Sequence, residues 1–142
     1  MRIVLASDHA GFPLKEHLKT YLAGKGWEVI DRGTDSEQAV DYPAIIRKGC
    51  ETVLQEKIPG IVLGGSGNGE AMAANKVQGI RAALCYSVET ARLARAHNDA
   101  NVLSLGGRLI EPALAEQIVD TFLATDFEGG RHERRIADLE TR

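Results

Sequence analysis

The stretch IVLGGSGNGE, residues 61–70, decides how the rest of the chain reads. Ile61, Val62 and Leu63 form a branched apolar run of the kind that fills a strand buried on both faces. Glycines then stand at 64, 65, 67 and 69, and residues 69–76 have helical length and composition. A buried strand, a glycine turn and a helix open a unit that must return to a parallel neighbour. Glu70 closes the glycine run. The loop offers bare backbone to whatever approaches it, with a carboxylate alongside.

The same alternation extends in both directions. Strand-length apolar runs cover residues 3–6, 28–30, 80–84 and 102–105. Between them lie segments of helical period. Pro13, Pro43 and Pro112 each stand where a first helical turn accepts proline, and a short last helix is expected over residues 133–140. Residues 88–97 supply a further helix, and residues 32–42 form the longest irregular stretch. The pattern predicts an α/β fold in one domain over residues 1–142, a doubly wound sheet of five parallel strands flanked by helices.

Composition narrows the function classes. The balance of 44% hydrophobic and 26% charged residues suits a soluble domain, and a formal net charge of −3 argues against a nucleic-acid partner. No apolar run reaches the roughly 20 residues of a membrane span. Met1-Arg2 leads straight into the first strand without a signal-peptide pattern, so the cytoplasm is the expected compartment. Cys50 and Cys85 make no disulfide framework, and no group of residues has metal-ligand spacing, so no metal and no cofactor are expected.

Ligands of open parallel sheets bind outside the carboxyl ends of the strands. The loops expected there carry Asp8 and His9, then Ser66 and Glu70, then Tyr86 and Arg108. The glycine loop reads in two ways. It is either a tight turn whose Glu70 complements the helix dipole, or an anion cradle of backbone N–H groups. It is no nucleotide loop, because Glu70 stands where a phosphate-binding loop needs its lysine. A carboxylate beside an oxyanion cradle is the pairing for moving a proton next to a carbonyl. A helix N-terminus holds a carboxylate's pKa down, so bound substrate is expected to supply the desolvation that a base needs.

Arg131 and Arg135 are spaced to share a helix face, as a phosphate clamp or as a solvated surface. His17 reads as a bystander, and His132 as a neighbour of the arginines. His97 ends a helix, where an imidazolium complements the dipole.

Taken together, SDHAGFPLK (7–15), DYP (41–43), GGSGNGEAMAANK (64–76), GIRAA (79–83), ARAHNDANVLSLGGR (94–108) and GGRHERRI (129–136) resemble the ribose-5-phosphate isomerase B family. The wider group includes allose- and galactose-6-phosphate isomerases. The likeness spans nearly the whole chain. It implies a Rossmann-like fold, a homodimer or tetramer, no metal, and interconversion of D-ribose 5-phosphate and D-ribulose 5-phosphate in the pentose phosphate pathway. A hexose 6-phosphate isomerase is the alternative, and a non-enzymatic sugar-phosphate-binding module a more distant one.

By position, the resemblance makes Glu70 the base, with Ser66, Gly65, Gly67 and Gly69 as the anion hole. Asp8 and His9 would contact the sugar and phosphate, and Tyr42 would wall the pocket. His97 would assist ring opening, Asn98 would bind an oxygen, and Arg108, Arg131 and Arg135 would hold the phosphate. Some members use a cysteine two residues before the loop serine. That position is Gly64 here, so the chain resembles the glutamate-type branch and Cys85 reads as structural. One topological expectation follows. His97 and Asn98 precede the fifth strand, so they belong to the rim opposite Glu70 and would serve the site of a second subunit.

Overall fold

The computed structural model describes residues 1–141. Five strands form one parallel sheet: β1 (Arg2–Ser7), β2 (Glu28–Asp31), β3 (Gly60–Gly64), β4 (Ala82–Leu84) and β5 (Val102–Gly106), in the order β2-β1-β3-β5-β4. Six helices flank it: α1 (Phe12–Gly24), α2 (Tyr42–Glu56), α3 (Asn68–Asn75), α4 (Val88–Asn98), α5 (Pro112–Ala124) and α6 (Arg131–Leu139). The expected prolines open α1, α2 and α5. The Ser87 and Thr90 side chains close a reciprocal capping box on α4.

Strand alternation sorts the core into two layers. Ile3, Leu5, Ile61, Leu63, Leu103 and Leu105 face α1, α4 and α5. Val4, Ala6, Val62 and Val102 face α2 and α3. The chain leaves β1 through a helix on one face and leaves β3 through a helix on the other. The loops after these adjacent strands therefore part, and the crevice between them is where such sheets take ligands. Lys15 tethers this region in a way its sequence did not announce. Its side chain is fully buried, with Nζ 2.7 Å from Asp31 Oδ2, and it ties α1 to β2.

Two boundaries differ from expectation by two residues, the others by no more than one. The fourth strand starts at Ala82 rather than at 80, because Ile80 N–H closes a turn onto Val77 and Arg81 N–H is taken by the Asn101 side chain. The last helix starts at Arg131 rather than at 133, directly after Gly129 and Gly130, whose φ values of 70° and 61° break the chain.

Candidate active site

β3 ends at Gly64, and the chain turns through residues 65–67 into α3. The carbonyls of this turn point into the protein. Gly107 N–H donates to Gly64 O at 2.7 Å, Arg108 N–H to Gly65 O at 3.1 Å, and the Ser104 hydroxyl to Gly67 O at 2.7 Å. The Tyr86 hydroxyl donates to Ser66 O. With the oxygens held, the N–H groups of Gly65, Ser66 and Gly67 have no protein partner among the described residues. That leaves an anion hole of backbone donors, with the Ser66 hydroxyl accepting from Asn68 N–H at 3.2 Å. Gly67 adopts φ 85°, and its back lies against Leu84 and Leu105, so no side chain fits there.

Glu70 sits in the first turn of α3 and is 4% exposed. Its carboxylate folds back over Gly64, where a Cβ would overlap it. Burial is the largest influence on this carboxyl and raises its pKa. Its own backbone N–H opposes that, and the facing Asp8 carboxylate adds to the rise. This corrects the expectation that the helix N-terminus holds Glu70 down until substrate desolvates it. Burial prevails in the free protein.

Asp8 is itself buried and accepts Gly11 N–H at 2.9 Å, which fixes its other face toward Glu70. His9 Nδ1 accepts Val40 N–H at 3.2 Å, so the ring proton sits on Nε2, ready to donate to a ligand oxygen. Tyr42 begins α2 with its hydroxyl against Gly69, 2.5 Å from where a Cβ would stand. The Arg108 side chain is exposed and runs over Gly65. Asp8, His9, Tyr42, Gly65, Ser66, Gly67, Gly69, Glu70 and Arg108 are thus gathered on one rim.

His97, Asn98, Arg131 and Arg135 are not. Val102 pairs with Gly60 and Gly106 with Gly64, so the end of α4 lies at the amino rim of the sheet. The length of β5, about 17 Å, separates that rim from Glu70. His97 stacks on His132, ring centroids 4.4 Å apart, where α6 packs on α4. Arg131 and Arg135 are exposed on α6.

Sequence reasoning passed over Ser104 and Glu128. Ser104 left a signal, a hydroxyl inside the apolar run VLSL. Glu128 left none. Yet it approaches both His97 and His132, forming a group with metal-ligating atoms that linear spacing did not reveal. No thiol is poised for chemistry: burial pushes Cys50 up to about 12 and also raises Cys85.

The family model described as Ribose/Galactose Isomerase matches residues 3–139. The ribose-5-phosphate isomerase B of Mycolicibacterium paratuberculosis is 51% identical over 139 residues, covering 96% of this chain and 87% of that protein. A crystal structure of a ribose 5-phosphate isomerase from Thermotoga maritima is 56% identical and superimposes with a TM-score of 0.96, covering 98% of this chain and 97% of that one. The Mycoplasma genitalium ribose-5-phosphate isomerase B with bound ribulose-5-phosphate is 42% identical, with a TM-score of 0.93 over 98% of this chain and 93% of that one. Among the described residues, no helix is long and apolar enough to cross a membrane. With a match across nearly its whole length, this chain belongs to the ribose/galactose isomerase family, in its ribose-5-phosphate isomerase B group, and is an enzyme.

Proposed function

We propose that this enzyme interconverts D-ribose 5-phosphate and D-ribulose 5-phosphate by moving one proton between C1 and C2 through an enediolate, with no metal. The observation that carries the reading is Glu70, a buried carboxyl of raised pKa beside an N–H-lined turn. A raised pKa brings a carboxylate closer to the proton affinity that a general base needs at neutral pH. Glu70 takes the proton from one carbon and returns it to the other. The N–H groups at Gly65, Ser66, Gly67 and Gly69 hold the enediolate oxygen, a function worth about 10²–10³ in rate per donor. Asp8 and His9 bind the sugar, Tyr42 walls the pocket and Arg108 meets the phosphate.

The remaining groups come from a second copy in a homodimer, or in a tetramer built of such dimers. His97 assists ring opening, Asn98 binds an oxygen, and Arg131 and Arg135 clamp the phosphate. The split of candidate residues between two rims supports this, because one chain alone holds base and cradle without those four. The unpaired edge of β4 and the 67% exposed Met72 on α3 support an interface there. The substrate belongs to the pentose phosphate pathway, and the enzyme to the cytoplasm. An isomerase assay over pentose and hexose phosphates tests the reading. Ribose 5-phosphate should show the highest kcat/KM, and a preference for a 6-phosphohexose would overturn it.

A further inference from the structure

Three side chains of metal-ligating type converge where α4, residues 125–130 and α6 meet. His97, Glu128 and His132 each bring one ligand atom, all within 4.8 Å of one another. His97 Nε2 lies 3.9 Å from Glu128 Oε2, and His132 Nε2 lies 3.7 Å from Glu128 Oε1. His132 is 6% exposed, and its Nε2 is buried without a hydrogen-bond partner.

That orphaned nitrogen points to a ligand. A buried polar atom left unpaired is costly, and native folds seldom tolerate one without use. The separations here are too long for hydrogen bonds. They are close to what an ion needs: bonds of about 2.0–2.2 Å in a tetrahedron hold ligand atoms roughly 3.3–3.6 Å apart. Closure takes a shift of about an ångström by Glu128 and a turn of the part-exposed His97 ring out of its stack on His132, because rings 18° from parallel do not aim both lone pairs at one point. Glu128 is free to make that shift. Its N–H is anchored to Ala96 O at 3.0 Å, while its side chain is 47% exposed.

We propose that His97, Glu128 and His132 form a site for a divalent transition-metal ion of the zinc type, and that filling it silences the enzyme by occupying the His97 lone pair. The silencing rests on the role proposed above for His97; the metal site does not. Two imidazoles and one carboxylate favour zinc, nickel or copper over magnesium or calcium. Arg131 and Arg135 oppose the cation and Glu128 supplies one compensating charge, so the ion binds reversibly rather than as a structural centre.

The test is calorimetric titration of the chelator-stripped enzyme with zinc chloride, without sugar phosphate. One ion should bind per chain, and Glu128→Gln and His132→Ala should each weaken it by about tenfold or more. Glu128 is exposed and outside the proposed catalytic set, so Glu128→Gln should fold and keep its isomerase activity. It should also resist zinc at concentrations that stop the wild type, and a chelator should restore the wild type. Absence of zinc binding, or binding indifferent to Glu128→Gln, overturns the site. Zinc that binds at this site without loss of activity upholds the site and overturns both the silencing and the role of His97 in the reaction.

Discussion

The Glu70 carboxylate occupies the space that a β-carbon on residue 64 would fill, and glycine at that position is what admits it. A base on residue 70 and a side chain on residue 64 compete for one volume. Gly64→Ala should therefore keep the fold, since Gly64 is not among the positive-φ glycines, while pushing the carboxylate off its line. A misplacement near 1 Å costs about 10² in rate, and kcat should fall by that order with circular dichroism unchanged. Wild-type kcat in Gly64→Ala would mean that the position of Glu70 is not catalytically critical.

Glu70→Gln keeps shape and hydrogen bonding but cannot take a proton. Exchange of substrate hydrogen with solvent in a single turnover should drop by about 10²–10⁴, the usual weight of a general base, with substrate affinity nearly unchanged. Exchange above about a tenth of the wild-type rate would exclude Glu70 as the base.

The same substitution should stabilise the free protein at neutral pH. A carboxyl whose folded pKa is raised penalises the native state once the pH exceeds its unfolded value of about 4.3. The penalty grows with pH, is complete above the folded pKa, and is absent below the unfolded one. Thermal melts should show Glu70→Gln a few degrees above wild type at pH 7, with the gap closing toward pH 4. A gap independent of pH would assign the gain to something other than ionisation.

Arg131 and Arg135 stand one helical turn apart on α6, exposed and facing one way. Arg131→Ala and Arg135→Ala should each weaken binding of the phosphorylated sugar by about tenfold or more, the weight of a charge-assisted hydrogen bond. Binding of the unphosphorylated sugar should change little. Equal losses for both ligands would return the pair to a solvated helix face.

Much of this architecture was legible because strands and helices advertise themselves locally. The runs at 3–6 and 61–63 are buried on both faces and read as continuous apolar stretches, and three prolines marked three helix starts. What failed was non-local. Arg81, expected inside the fourth strand, gives its N–H to Asn101, which lies beyond a whole helix, and no window around Ile80 contains that fact. The Glu70 carboxyl is raised by burial first and by Asp8, on another strand's loop, after it, and local dipole reasoning gave the wrong direction. Glu128 is a charged loop residue with no period to betray it, and it gained neighbours only when α6 packed on α4. The remoteness of His97 from Glu70, by contrast, followed from strand direction alone.

That remoteness carries the central claim, a site shared by two chains. Complementation between two inactive variants measures it. Glu70→Gln and His97→Asn homodimers should each be nearly inactive. Refolded together at equal concentration, about half of the dimers become mixed, and in each of these one site carries both lesions while the other carries neither. Activity should return to roughly a quarter of the wild-type value. Mixed dimers that form without recovering activity would put His97 and Glu70 in the same chain's site and contradict the shared-site account.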